Sequence, residues 1–107
     1  MTIFDDRERA FETKFARDDE MAFRITARRN KLLGSWAASL MKLTPEEADA
    51  YSRSVVHAEF EEAGDEDVVG KLLGDLTGAG VDIDDAGVRR ALGDHEVEAR
   101  RQLMELK

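Results

Sequence analysis

The sequence has no cysteine and only one proline among its 107 residues. Without cysteine, the chain can form neither disulfides nor thiolate metal sites. With a single proline, few positions interrupt a helix. No apolar run approaches the ~20 residues that a membrane-spanning helix needs, and the first residues lack the basic and apolar regions of a secretory signal. We therefore expect a cytoplasmic protein that does not insert directly into a membrane.

Acidic side chains outnumber basic ones, 24 against 16, which gives a net charge of −8. This balance argues against nucleic acid or an anionic membrane as the main partner, because both repel a negative surface. The charge is uneven along the chain. Residues 1–31 hold eight basic and seven acidic side chains, a balance of +1, which leaves −9 for the remainder. Such asymmetry often separates an interacting segment from a solvated body.

Apolar residues recur at the three- and four-residue intervals typical of helices, and no stretch alternates as a strand does. The stretch Thr44-Pro45-Glu46-Glu47 predicts a helix start, with the threonine as N-cap and the second glutamate closing a capping box. Asp65 is predicted to cap a third helix, and either Asp82 or Asp84 a fourth. The predicted core face of the third helix comprises Val68, Val69, Leu72, Leu73 and Leu76. We predict an all-α fold, a four-helix bundle with short loops.

The first predicted helix, from Ile3 to Met41, is much longer than the others. It would measure about 58 Å, against about 25–35 Å for its partners, so the bundle cannot cover all of it. Phe4, Phe11 and Phe15 are spaced by seven and then four residues and form a narrow stripe on this charged helix. Such a stripe is typical of a segment that docks into a groove on another protein.

We therefore divide the chain into an N-terminal arm, residues 1–19, and a four-helix bundle, residues 20–107. The arm either projects from the bundle or is intrinsically disordered when free, because isolated helices this short are marginal in water. In the alternative interpretation, the three phenylalanine rings fold back onto the bundle as ordinary core, since large apolar patches rarely stay exposed on monomers.

Several stretches resemble chemical sites but lack required residues. Gly70-Lys71-Leu72 has leucine where a phosphate-binding loop needs serine or threonine. The loop that begins at Asp82 has Gly93 at its twelfth position, where a calcium-binding EF-hand needs glutamate.

Neither His57 nor His95 has a serine or cysteine nucleophile pattern beside it, and His95 is predicted to lie in the core or at its edge. The acidic run from residue 59 to 67 is interpreted as a solvated face. We predict no catalytic residues, no cofactor and no metal site, and hence no enzyme.

Four stretches of sequence carry a family resemblance: Phe4-Asp5-Asp6-Arg7-Glu8-Arg9-Ala10-Phe11-Glu12, then Lys14-Phe15, then Ala27–Gly34, and then Phe60-Glu61-Glu62-Ala63-Gly64-Asp65-Glu66-Asp67-Val68-Val69. With them the chain resembles, nearly end to end, the zeta subunit family of alphaproteobacterial F-type ATP synthases. The resemblance implies an inhibitor of ATP hydrolysis at the cytoplasmic face of the inner membrane. Its N-terminal arm would insert into the interface of the catalytic head and block rotation in the hydrolytic direction.

Mapped onto this chain, the resemblance implies that the inhibitory stretch runs from Thr2 to about Asp19. The catalytic head subunits would be the partners. The apolar anchors would be Phe4, Phe11 and Phe15. Polar contacts that set the register would come from Asp5, Asp6, Arg7, Glu8, Arg9, Glu12, Lys14 and Arg17.

Two other functions compete with this one. The first is a generic helical adaptor that uses the same arm on a different protein. The second is a regulatory bundle that responds to a ligand bound between its helices, either an adenine nucleotide, bound weakly, or a metal. In the second, the phosphates would meet basic residues of the last helix: Arg89, Arg90, Arg100 and Arg101.

Overall fold

The computed structural model describes the backbone of residues 3–61 and 64–105, and the side chains of residues 19–59 and 64–104. Four helices account for most of this part of the chain: α1 (Ile3–Leu40), α2 (Pro45–Glu61), α3 (Asp65–Gly78) and α4 (Asp85–Glu105). No strand occurs among the described residues. The prediction of an all-α four-helix protein with a long first helix is confirmed.

The core is formed by small and branched apolar residues that all four helices contribute. Its buried members are Leu33, Ala37, Val55, Val68, Val69, Leu72, Leu76, Val88 and Ala91. The predicted core face of α3 is confirmed, with Leu73 partly buried at its edge. Each fully buried valine or leucine side chain of the core stabilises the fold by roughly 1.5–3 kcal/mol through removal of apolar surface from water.

Gly34 allows α1 and α2 to approach each other closely. A methyl group in its place would lie 2.5 Å from the Cα atom of Ser52, which is far inside van der Waals contact. Beside this contact, the hydroxyls of Ser35 and Ser52 lie 3.1 Å apart and share a hydrogen bond. The sequence alone predicts only that a glycine weakens α1 here; the packing of the two backbones explains its presence.

The capping box at the start of α2 is confirmed. The backbone N–H of Glu47 donates to Thr44 Oγ1 at 3.2 Å, and the backbone N–H of Thr44 donates to Glu47 Oε1 at 2.9 Å. At the start of α4, Gly87 N–H donates to Asp84 Oδ1 at 2.8 Å, so Asp84 rather than Asp82 is the cap. Both helix starts are set by side chains within three residues of the backbone groups they satisfy.

The prediction that Asp65 caps α3 is wrong. The N-cap is Gly64, which has a φ of 134° and makes no side-chain hydrogen bond to the helix. Asp65 is instead the first helical residue, and its carboxylate accepts a hydrogen bond from Arg29 on α1. The carboxylate of Asp65, which the sequence predicts to cap α3, therefore pairs with a residue of another helix instead.

Two helices end in the same hydrogen-bond pattern, in which a residue with positive φ reverses the chain. At the end of α3 this residue is Gly80, with a φ of 83°, and Val81 N–H donates to Leu76 O at 2.9 Å. At the end of α1 it is Lys42, with a φ of 59°, and Leu43 N–H donates to Ala38 O at 3.0 Å. A lysine in this conformation carries backbone strain that glycine does not.

The α1 helix extends beyond the ends of its neighbours. The 38 residues of α1 span about 57 Å. Near its middle, Met21 and Ala22 line a groove with Met104, close to the end of α4, and Ala22 also lines a groove with Glu59, close to the end of α2. Residues 3–18 of α1 continue past this level for roughly 24 Å of helix.

Candidate functional site

The predicted partner-binding residues all lie on the first five turns of α1. Their backbone is helical, but their side chains lie outside the described ones, so the contacts predicted for them stay predictions. The set comprises Phe4, Asp5, Asp6, Arg7, Glu8, Arg9, Phe11, Glu12, Lys14, Phe15 and Arg17. The alternative in which the phenylalanine rings pack onto the bundle falls on the same residues and is likewise outside the described part.

The helical register of α1 relates this arm to the bundle. Positions 4, 11 and 15 fall on the same side of a continuous α-helix as positions 22, 29 and 33. Arg29 and Leu33 on that side are buried against the other helices. The side of α1 that carries the three phenylalanine positions is therefore the side with which α1 packs into the bundle, continued past the level where α2 and α4 end.

Arg29 lies on α1 about two helical turns further into the bundle than Met21, and its side chain makes polar contacts with all three other helices. Its side chain is only 2% exposed. Its Nη2 atom lies 2.9 Å from Asp65 Oδ1 and 3.6 Å from Glu59 Oε2, and its Nη1 atom lies 3.3 Å from Glu96 Oε1. Its Nε–H donates to the side-chain oxygen of Asn30 at 3.1 Å. One guanidinium on α1 thus contacts carboxylates from α2, α3 and α4.

A buried guanidinium is costly to desolvate unless it is paired and hydrogen-bonded, and here carboxylates from three helices perform that task. The planar fork of arginine contacts several acceptors at fixed angles, so the ion pairs fix where α1 sits against the bundle. The acidic run is consequently not a purely solvated face, because Glu59 and Asp65 point toward Arg29. Sequence reasoning counted Arg29 only as charge, although its spacing of four residues before Leu33 places it on the buried stripe.

A groove between α1 and α2 lies next to this cluster. It has a volume of about 390 Å³ and is lined by Ala22, Phe23, Thr26, Ala27, Asn30, Val56 and Glu59. Asn30 Nδ2 and Glu59 Oε2 are buried there without a hydrogen-bond partner in the protein. Glu59 Oε2 nevertheless lies 3.6 Å from Arg29 Nη2, so its charge is balanced by the guanidinium. A buried polar atom without a hydrogen bond costs free energy, and two residues of the groove lining each carry one such atom.

The remaining aromatic and imidazole groups have structural surroundings. The rings of Trp36 and His95 lie 6.0 Å apart, and His95 Nδ1 lies 2.7 Å from the backbone oxygen of Ala91. His95 is partly buried, as predicted for a histidine at the edge of the core. The hydroxyl of Tyr51 donates to Asp75 Oδ2 at 2.7 Å, and burial together with this bond raises the pKa of Tyr51.

Two of the four arginines proposed to meet nucleotide phosphates are already paired within the protein. The hydrogen bonds of Arg89 to Glu66 and Asp85 raise the pKa of its guanidinium, and the pKa of Glu66 is lowered by the same contact. Hydrogen bonds from Arg101 and then from Gln102 lower the pKa of Glu98 to about 2. These pairs weaken the case for a phosphate site on α4.

The described residues contain no group of three or more histidine, aspartate or glutamate side chains arranged to hold a metal ion. None of the described helices combines the length and the apolar content needed to cross a bilayer. Within the part of the chain that the structure describes, the features that remain for function are the continued face of α1, the buried cluster around Arg29 and the neighbouring grooves.

Comparison of the sequence with known protein families identifies the family to which the chain belongs. The model of a family described as ATPase inhibitor subunit zeta matches residues 1–102. No curated protein matches the chain. Among solved structures, a protein described only by its solution NMR structure is 45% identical and superposes with a TM-score of 0.71, over 81% of this chain and 99% of that one. The fold described above is therefore shared with an experimentally determined relative.

Proposed function

The chain belongs to the ATPase inhibitor subunit zeta family, and on that premise we propose that it inhibits ATP hydrolysis by the F-type ATP synthase with the N-terminal arm of α1. The arm inserts into the interface between subunits of the catalytic head and blocks rotation in the hydrolytic direction. The protein acts as a regulatory subunit at the cytoplasmic face of the inner membrane, where the synthase resides.

One observation carries this proposal: the packing side of α1 continues for about 16 residues after its intramolecular neighbours end. A helix side that bears aromatic residues and extends past the described ends of its neighbouring helices favours association with another protein. A groove in the catalytic head that receives residues 3–18 would continue the packing that α2 and α4 provide further along α1.

Phe4, Phe11 and Phe15 supply the apolar anchors, each able to contribute up to about 2 kcal/mol in a closed pocket. The alternating charges between them set the register and the orientation. Ordering a segment on binding opposes association by roughly 2–5 kcal/mol, so three anchors are enough to leave a favourable balance.

The test is an ATP hydrolysis assay on the purified synthase with the full chain and a triple variant, Phe4→Ala, Phe11→Ala and Phe15→Ala. We expect the triple variant to need at least a hundredfold higher concentration for half-inhibition, because all three anchors are lost. Phe23→Ala is the matched control, since position 23 lies on α1 but off the stripe; its potency should stay within threefold of wild type. A triple variant that inhibits at wild-type potency contradicts the proposal.

A second candidate function, binding of an adenine nucleotide, would use the α1–α2 groove, where Asn30 Nδ2 and Glu59 Oε2 lack a hydrogen bond within the protein. An adenine ring offers acceptor nitrogens to the amide and an amino group to the carboxylate, in a groove otherwise lined mainly by apolar atoms. Titration with ADP, followed by the NMR signals of the Asn30 side-chain amide, tests this candidate. Shifts that do not saturate, or that persist unchanged in Asn30→Leu, would exclude the groove.

A further inference from the structure

One outward face of α4 has a composition unlike the rest of this acidic molecule. Six exposed residues on it are spaced by four, three, four, three and four positions, so they form a continuous line along the helix. We name this line the α4 ridge; it consists of Ala86, Arg90, Gly93, Val97, Arg100 and Met104. The ridge has no acidic member, although the chain as a whole has a net charge of −8.

The apolar members of the α4 ridge are unusually exposed. Val97 is 69% exposed and Met104 is 57% exposed, and both belong to the few large apolar side chains that the described part leaves open to solvent. Gly93 and Ala86 between them carry little or no side chain, and no atom lies within 4 Å of a methyl group added at Gly93. Small residues at these intervals let a second helix approach the axis of α4 closely.

The two arginines of the α4 ridge differ from their neighbours on the same helix. Arg89 and Arg101 are held by carboxylates of the protein. Among the described residues, no carboxylate oxygen lies within the 4.0 Å ion-pair distance of Arg90 or Arg100. The ridge therefore presents two positive charges, ten residues or roughly 15 Å apart along the helix, that are free to pair with a partner.

The α4 ridge is continuous with the base of the arm. Arg100 and Met104 also line a groove of about 330 Å³ between α1 and α4, together with Met21 and Ala22. Residue 21 is the level at which α1 leaves the bundle. A protein that binds the arm along the packing side of α1 would therefore reach Met104 and the end of the ridge without a gap.

A second copy of this chain, centred on the middle of the ridge near position 95, is disfavoured as the occupant. The two-fold axis would then pair position 90 with position 100 of the copy and place like charges opposite each other. Nucleic acid fits no better, because the chain has a net charge of −8. Unpaired arginines separated by apolar and small residues are complementary to an amphipathic helix that carries carboxylates on either side of an apolar stripe.

We propose that the α4 ridge is a second docking surface, which receives an acidic amphipathic helix of the catalytic head while the arm occupies its interface. This inference rests on the proposed function and names a further contact of the same complex. Partner carboxylates pair with Arg90 and Arg100, and apolar side chains of the partner cover Val97 and Met104. The contact adds affinity to the arm by making the second attachment intramolecular.

The test compares full-chain variants for binding to the purified catalytic head. The ridge variant carries Arg90→Glu and Arg100→Glu. The control carries Arg24→Glu and Lys42→Glu, the same change in net charge at exposed positions away from the ridge. We expect the Kd of the ridge variant to rise at least tenfold at 50 mM salt, while that of the control rises less than threefold. The difference should shrink at 500 mM salt, where the Debye length falls below about 5 Å.

Because the chain has no cysteine, Val97→Cys gives a single thiol on the ridge for a photoactivatable crosslinker. The expected product joins residue 97 to an acidic helical segment of a head subunit, identified by mass spectrometry. Equal Kd values for the ridge variant and the control, with no crosslink to the head, overturn the α4 ridge as a docking surface. If the wild-type chain itself does not bind or inhibit the head, the proposed function fails instead.

Discussion

At the scale of single residues, Arg29 is a buried charge whose carboxylate partners lie on all of the other helices. It is buried on α1 and contacts Glu59, Asp65 and Glu96 on the other three helices. Two of these carboxylates are partly exposed, so screening by solvent weakens their individual contributions. The main energetic consequence of the cluster concerns the guanidinium of Arg29 and the buried end of Glu59. Removing either charge leaves the other buried without compensation, which lowers the free energy of unfolding.

We predict that Arg29→Met lowers the free energy of unfolding by about 3 kcal/mol, because it leaves the carboxylate of Glu59 buried and unpaired. Urea denaturation measures the change. Arg24→Met is the matched control: the guanidinium of Arg24 pairs with Glu20 at 2.7 Å on the exposed surface, and such pairs contribute less than about 1 kcal/mol. Equal losses in the two variants would show that Arg29 does not hold the helices together.

A second prediction concerns Glu98, whose pKa is lowered to about 2 by hydrogen bonds from Arg101 and Gln102. A carboxyl whose pKa falls on folding stabilises the folded state above its unfolded pKa, near 4.5, and loses that contribution as the pH falls toward 2. The stability difference between wild type and Glu98→Gln should therefore be largest at neutral pH and vanish near pH 2. Urea titrations at pH 7, 4 and 2.5 check it; a difference independent of pH would rule out this contribution.

At the scale of the helices, the close approach of α1 to α2 depends on Gly34, which lies against the backbone of Ser52. We predict that Gly34→Ala destabilises the protein by about 1–3 kcal/mol, although alanine is the better helix former, because the new methyl group collides with the backbone of Ser52. Gly74→Ala on α3 is the control. No atom lies within 4 Å of its added methyl group, so this change should stabilise by about 0.5–1 kcal/mol. Thermal denaturation of both variants measures the two changes in stability. An increase in stability in Gly34→Ala would contradict the prediction.

The end of α1 gives the opposite expectation for a glycine. Lys42 adopts a φ of 59°, which costs a non-glycine residue about 1 kcal/mol or more. Lys42→Gly should therefore raise the free energy of unfolding by roughly 1 kcal/mol. Gly80→Ala, at the equivalent position after α3, should lower it by a similar amount. Chemical denaturation of the two variants in parallel provides the measurement, and a loss of stability in Lys42→Gly would contradict it.

The features that were predictable from sequence are those set within a few residues of the chain. The capping box of Thr44 and Glu47, the Asp84 cap and the core face of α3 all follow from local spacing and side-chain chemistry. The Asp65 prediction failed because a contact with Arg29, 36 positions away, competes for the same carboxylate. The close packing at Gly34 and the absence of a hydrogen bond at the Asn30 amide could not be predicted either, because both depend on which residues of α2 lie opposite α1.

For the molecule as a whole, the long α1 helix links the bundle to the proposed inhibitory arm. The cluster around Arg29 fixes α1 where α2, α3 and α4 meet it, and the helix then carries the arm away from that point in a defined direction. The sequence predicts the arm from helix lengths and phenylalanine spacing. The spacing of Arg29 before Leu33 indicates that it lies on the buried stripe, but its three carboxylate partners could be identified only once the four helices were placed together.

The most direct measurement of this account is amide hydrogen exchange across α1, with and without the catalytic head. We predict that the head slows exchange at residues 3–18 by at least tenfold, because the continued packing side of the helix becomes covered, while residues 30–40 exchange equally slowly in both samples. Unchanged exchange at residues 3–18 in a complex that still inhibits ATP hydrolysis would contradict the account.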